Sequence, residues 1–283
     1  ENIGRWSVMK EITALVSRNR KLFFKDKGML FSSMITPVIL IVLYATFLAN
    51  VYKDSFVSAT KNMIDLPDKI INGTVAAQLA AALLAVSCVT VTFCVNLTMV
   101  QDRASGARKD FDVSPVSKTK IYIGYFLSTV LNSLMVNGTA LALCLLYILK
   151  MGWYMSASDV IFVILDMILL VLFGSTLSSI VSYPLKTQGQ LSAVGTIVSA
   201  GYGFVCGTYG TSLVKNHMLN GVYKEMADTG LPSEAVTVIR NTLDCNPVFR
   251  GHVVGVSQMY LIMAGSIVVF GAAYLLIIMI RER

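Results

Sequence analysis

Six stretches of the chain stay apolar for about twenty residues or more: 29–49, 75–100, 119–149, 158–183, 189–213 and 258–280. Nothing else in the sequence restricts the fold as strongly. About 20 apolar residues in a helix cover the hydrocarbon core of a bilayer. Inside that core every backbone N–H and C=O must be paired, which only helices and closed barrels achieve. All six stretches exceed the length of a barrel strand and none alternates with period two, which argues against a β-barrel. The third is long enough to tilt or to project from the bilayer. Charged residues make up 14% of the 283, against roughly 25% in soluble domains. That deficit follows from the cost of a charge at the bilayer centre, about 2.5–3.5 kcal/mol even on lenient scales. The expected fold class is all-α integral membrane: six transmembrane helices, an N-terminal amphipathic interfacial helix over 1–28, and short external helices between spans five and six. A single transmembrane domain covers 1–283.

Orientation follows from Lys and Arg, which concentrate on the cytoplasmic side. With the N-terminus inside, segments 1–28, 101–118 (with Lys120), 184–188 and 281–283 hold 15 of these residues and segments 50–74, 150–157 and 214–257 hold 8. Both termini are therefore expected in the cytoplasm. The net charge of +7 does not point to nucleic acid, because basic loops beside spans are ordinary and neither zinc-finger spacing nor an RNA-binding aromatic signature is present.

Residues 5–27, RWSVMKEITALVSRNRKLFFKDK, differ from the spans. Trp6, Met9, Ile12, Leu15, Val16, Leu22 and Phe23 recur at helical spacing, with Asn19 interrupting the stripe, and Arg18, Arg20, Lys21, Lys25 and Lys27 crowd its end. The pattern predicts a helix in the inner interface whose bases meet anionic lipid headgroups. Pro37 lies inside span one and is expected to kink it. In the outer segment 214–257, Pro232, Ser233 and Glu234 open a short external helix carrying Ala235, Val236, Ile239 and Leu243 at helical spacing, and Asn246-Pro247 ends it.

Span five carries small residues four apart, Gly195, Ser199, Gly203 and Gly207. Such residues share a helix face, and in lipid a small ridge lets backbones approach closely. It serves either packing within the chain or a subunit interface or pathway. Asp166 is the only acid deep in a span, a candidate intramembrane polar site together with Asn96. Asp166 lies only ~10 Å along a helix from the start of span four, so a structural bond to a neighbour is the alternative. Ser87, Thr90, Thr92, Asn96, Thr98, Asn132, Ser133 and Asn137 make spans two and three unusually polar; they either bond across helices or line a wet path.

Several chemistries have no sequence support. There is no GxxxxGK[ST] phosphate loop, no HExxH and no GxSxG, so no catalytic residue is assigned and the chain is expected not to be an enzyme. The five cysteines show no metal-ligand spacing and read as small apolar residues, with no metal site; Cys206 and Cys245 can pair if both face outward.

The loop between spans two and three, QDRASGARKDFDVSPVSKTKIYIGYF, resembles the corresponding loop of ATP-binding cassette permeases of the type-2 class, which are drug, peptide, lipid and polysaccharide exporters. The shared pattern is an acid–base pair, a Gly, a short amphipathic helix, then Ser-Pro and a base: here Asp102-Arg103, Gly106, Arg108 to Phe111, Ser114-Pro115 and Lys118. The end of span five, GYGFVCGTYG, and the later Leu231-Pro232 and Asn246-Pro247 also fit, although the family's Pro after the Gly-rich turn is absent. The resemblance implies a dimeric permease of the bacterial plasma membrane, identical or mixed in its two subunits, each bound to a cytoplasmic ATPase subunit that carries ATP and Mg; this chain itself would hold no cofactor. It implies that 101–117 is the coupling loop, with Asp102, Arg103, Gly106, Arg108, Lys109 and Phe111 transmitting motion and Phe111 anchoring in an apolar pocket of the ATPase. Ser114 and Pro115 would be the hinge, and Gly195, Ser199, Gly203 and Gly207 would pack at the dimer interface. The cargo is left open among drug, antimicrobial peptide, lipid and glycan. The alternatives are a membrane scaffold or sensor without transport and, third, a secondary transporter.

Overall fold

The computed structural model describes residues 2–60, 66–187, 189–190, 193–194, 207–243, 248–249 and 252–282. Its elements are α1 (Asn2–Lys25), α2 (Lys27–Leu43), α3 (Ala49–Thr60), α4 (Asp68–Val95), α5 (Leu97–Ala104), α6 (Arg108–Asp112), α7 (Lys118–Met151), α8 (Ala157–Ser182), α9 (Gly207–Asp228), α10 (Ser233–Thr242) and α11 (Val256–Glu282), with a minimal hairpin of β1 (Val248–Phe249) and β2 (His252–Val253). Five described helices are long and apolar enough to cross a membrane: Lys27–Ser58, Asp68–Ala104, Lys118–Met151, Ala157–Ser182 and Val256–Ile280. The fifth stretch read from the sequence, 189–213, falls largely outside the described residues, as do Gly195, Ser199, Gly203, Cys206 and Cys245.

Asp26 separates α1 from the first span by capping it: its carboxylate accepts from the Gly28 and Met29 amides at 2.9 and 3.1 Å, satisfying donors that have no partner inside a helix. The first span runs through Pro37, and a π-helical turn over Tyr44–Leu48 joins α2 to α3. It is therefore longer than expected and covers part of the segment assigned to the outer loop. Phe31, Ile39, Val42 and Phe47 on this span are exposed, as suits side chains meeting lipid.

The central element is α4, which packs against α2, α3, α7, α8 and α9. Ala76, Ala77, Ala80, Ala81 and Ala85 are all buried, and their small size lets neighbouring helices approach on several sides at once. Helices apolar all round belong in an interior. Polar side chains set the register. Ser87 Oγ bonds Asn137 Oδ1 at 2.9 Å, and Thr129 Oγ1 bonds Asn96 Oδ1 at 3.5 Å, so α4 and α7 are antiparallel.

The outer segment differs most from its expected form. The sequence predicts span five to end at 213 with 214–257 outside, whereas α9 runs as one helix from Gly207 to Asp228 and packs on α4 and α8. Leu213, Val214, Met218, Leu219 and Met226 are fully buried. Asn220 reaches Asp159 while His217 reaches Asp166, which makes α9 antiparallel to α8 and brings His217 two turns inward from the start of α8. At Gly221 an added Cβ would run into the Tyr154 carbonyl, so only glycine lets α9 lie against the turn between α7 and α8. A helix follows Pro232, α10.

The N-terminal helix also packs differently from its reading. The residues that bury are Leu15, Asn19 and Phe23, whereas Met9 and Leu22 are exposed. Asn19, read as interrupting the apolar stripe, lies at the centre of the packed face of α1, and its amide donates to Ser128 Oγ on α7 at 3.3 Å.

Candidate functional site

The loop after span two folds back onto the helix ends around it. The chain leaves α5 through Gly106, whose φ of 82° lies in the left-handed region that glycine adopts without steric cost. A five-residue helix, α6, follows. Ser114 Oγ then donates to the Phe111 carbonyl at 2.8 Å and accepts from the Val116 amide at 3.4 Å. This serine turn stops α6 before exposed Pro115 and leads into α7.

Asp102 is nearly fully buried. Arg18 grips it with both guanidinium nitrogens, Nη1 to Oδ2 at 2.7 Å and Nη2 to Oδ1 at 3.2 Å, and the Tyr125 hydroxyl donates to Oδ2 at 2.5 Å. One carboxylate thus ties α1, α5 and α7 together. The fork geometry is the strong form of the interaction, because both bonds are charge-assisted and parallel. The bond to Asp102 raises the affinity of the Arg18 guanidinium for its proton above the ordinary arginine value, against an opposing effect of burial. Lys120 adds a second tie to α1 through Glu11 at 2.8 Å.

Arg103 points the other way and closes the C-terminal end of α8. Its Nη1 donates to the carbonyls of Ser182, Tyr183 and Leu185, at 3.0 Å for the first and last. A cation there satisfies carbonyls left without partners and complements the negative end of the helix dipole. The same guanidinium lies 5.9 and 5.5 Å from the Tyr122 and Tyr183 ring centres. Arg108 stacks over Tyr122 at 4.6 Å. Phe111 lies under Arg18 at 4.9 Å and packs on the buried cluster of Leu15, Met99, Ile121 and Tyr125. The ring is half-buried against its own chain, with one face covered by the paired Arg18 guanidinium.

The loop therefore has two faces. Asp102, Arg103, Arg108 and Phe111 turn inward, onto α1, α7 and α8. Ala104, Lys109, Asp110, Val113, Pro115 and Lys118 remain exposed, with Val113 at 87% the most exposed large apolar residue among the described residues. Tyr122, Tyr125 and Tyr183 have no role in the sequence reading, and Arg18, expected to meet lipid headgroups, is instead bonded to Asp102. A signal was present: Arg18 and Asn19 stand among Leu15 and Phe23 at helical spacing, a polar insertion that needs a buried partner.

Deeper in the bundle, Asn96 sits at the break between α4 and α5. Its amide donates to Ser178 Oγ at 3.3 Å and Ser182 Oγ at 3.2 Å on α8, and its oxygen accepts from Thr129 on α7. Asp166 is fully buried; it is bonded to His217 Nδ1 at 2.7 Å and accepts from the Tyr260 hydroxyl at 2.5 Å. Both candidate polar residues therefore join three helices. Gly207 opens α9. No group of three His, Cys, Asp or Glu that could hold a metal ion occurs among the described residues.

Residues 10–212 match the model of the ABC-2 type transporter family. The chain belongs to that family. No curated protein and no solved structure matches it. The ABC-2 match makes this chain a transmembrane permease of ABC-type transport, multi-pass in the membrane and not itself the ATPase. Permeases of this family normally work with an ABC ATPase partner. The matched region contains Arg18, Asp102 to Pro115 and Asp166, and stops short of His217 and Tyr260.

Proposed function

We propose that this ABC-2 permease is the exporting membrane subunit of a dimer driven by separate cytoplasmic ATPase subunits, and that the outer face of loop 101–117 receives their push. The observation that carries this reading is the two-faced loop. Its inner face is bonded to three helix ends, through Asp102 to α1 and α7 and through Arg103 to α8. Its outer face offers apolar Val113 between Lys109, Asp110 and Lys118. A force on that face reaches the spans through short, charge-assisted bonds, which is what a rigid lever requires. An apolar tip ringed by charges suits a groove on a partner, the apolar group supplying affinity and the rim orientation.

ATP and Mg belong to the partner in this reading, and the basic side chains of α1 other than Arg18 lie in the inner interface against anionic lipid, with both termini cytoplasmic in the plasma membrane. Small residues of span five, Gly195 to Gly207, pack at the dimer interface. The test is co-purification of the full chain from its native membrane. A stably bound Walker-type ATPase is expected, with binding lost in Val113→Asp and kept in Phe111→Leu, which preserves the inner packing. Absence of any such ATPase overturns the reading in favour of a scaffold or sensor. Binding that survives Val113→Asp moves the contact elsewhere.

A further inference from the structure

We propose that His217 Nε2 is a proton-binding site in the outer half of the membrane domain, and that proton uptake there clamps α9 against α8. The inference stands apart from the ATPase reading, because His217 and Tyr260 lie beyond the matched residues 10–212. It begins at Asp166, which has no exposure within the apolar helix α8. A carboxylate accepts only. Tyr260 on α11 donates to Oδ1 at 2.5 Å, and His217 on α9 faces Oδ2 through Nδ1 at 2.7 Å. The Nδ1 nitrogen must therefore carry hydrogen, which leaves Nε2 as an acceptor in the neutral ring and an N–H in the cation.

Nε2 has no hydrogen-bond partner among the described residues, and the His217 side chain is 14% exposed while that of Asp166 is 0%. The ring is accordingly reachable and the carboxylate is not. Protonation at Nε2 turns a hydrogen bond between a buried anion and a neutral ring into an ion pair, whose attraction grows as the local dielectric falls. Phe162 on α8 stacks on the imidazole with centroids 5.0 Å apart and 13° between planes, an aromatic face that also favours a cation. The two partners of Asp166 come from two different helices, and the proton on His217 strengthens the bond that joins α9 to α8.

The surrounding charges are otherwise engaged. On α8, Asp159 accepts from Asn220 at 2.8 Å and from Ser156. On α9, Lys215 donates to the Leu243 carbonyl at 3.4 Å, and Lys224 and Glu225 lie nearer its outer end. Arg240 on α10 donates to Asn216 Oδ1 at 3.1 Å and lies over Tyr223. The acids and bases of α4 stand at its outer start, Asp68 and Lys69, and α11 has none before Arg281.

Hydrogen exchange of the full chain in lipid nanodiscs tests this at pH 5.5 and pH 8, with rates corrected for intrinsic exchange. Amides of 207–228 should exchange several-fold more slowly in acid. His217→Gln keeps a donor for Asp166 but cannot titrate, and should abolish the step. His252→Gln, on the exposed hairpin, should leave it intact. Equal protection at both pH values in the natural chain, or a step that survives His217→Gln, overturns the proposal. Should His217→Gln fail to fold, nitrogen-15 resonances of His217 in the His252→Gln chain decide: an Nε2 signal that moves from the unprotonated to the protonated position supports the site, and one that does not move across this range sinks it.

Discussion

Asp102 is a buried carboxylate whose ionised form depends on two neighbours, Arg18 and Tyr125. Removing Arg18 leaves the charge with one hydroxyl. Breaking a fully buried pair from one side costs about 3–5 kcal/mol, but the Arg18 side chain is 34% exposed and water can partly replace it. Arg18→Ala should therefore destabilise the fold by roughly 2 kcal/mol, seen as a lower thermal midpoint in detergent. Asp102→Asn together with Arg18→Ala should cost clearly less than the sum of the two single changes, because the double variant buries no unpaired charge. Additive losses would show that the bidentate bond carries no coupling. The same logic applies at Asn96, whose three bonds end on three hydroxyls. Asn96→Leu should strand those hydroxyls beside an apolar side chain, with a loss of about 1–3 kcal/mol that Asn96→Ser partly recovers. Thermal unfolding in the same detergent measures both, and equal midpoints for the two variants would remove Asn96 from the register of α4.

At the level of elements, α9 is the helix whose position depends most on a missing side chain. Gly221→Ala places a methyl group against the Tyr154 carbonyl, and neither backbone can yield without moving a helix. Overpacking of this kind costs about 1–3 kcal/mol or more, so the variant should fall in folded yield and thermal midpoint. Gly138→Ala on α7 meets nothing within 4 Å and should gain about 0.5–1 kcal/mol from helix propensity alone. If both variants behave alike, the close approach at Gly221 does not exist in the membrane. The same helix marks where sequence reading fell short. Five described spans were legible because each is an uninterrupted apolar run, a signal that needs no partner to be read. The α9 segment averages Lys215, Asn216, His217 and Asn220 with Leu213, Met218 and Leu219, and so reads as an outer loop. Its polar side chains are matched one by one by Asp159, Asp166 and Arg240 from distant positions, and hydropathy along a chain does not record such pairings. At the inner loop the motif residues were legible and their directions were not: charges in a loop suggest an outward face, yet Asp102 and Arg103 turn inward because helix ends supply them with partners.

For the molecule as a whole, the two polar sites lie toward opposite ends of the helix bundle. Asp102, Arg103 and Val113 sit at one end of the bundle, where α5 ends and α7 begins. Asp166 and His217 lie toward the other, two turns from the capped start of α8. The excess of Lys and Arg on 1–28 and 101–118 leads us to expect the first end in the cytoplasm; on that orientation a push from an ATPase and a proton from outside would reach the same bundle from opposite faces. Single cysteines test that assignment directly. Val113 is 87% and Val253 is 61% exposed, one in the inner loop and one in the outer hairpin, and either change to Cys is a small substitution at a surface position. In a chain whose five natural cysteines are replaced by Ala or Ser, Val253→Cys should react with a membrane-impermeant thiol reagent added to intact cells. Val113→Cys should react only after the membrane is opened, and less once the ATPase is bound if the coupling face is assigned correctly. The reverse pattern would invert the chain in the membrane and place the Asp166–His217 pair on the cytoplasmic side. Labelling of Val113→Cys that is indifferent to the ATPase would keep the orientation while removing Val113 from the contact.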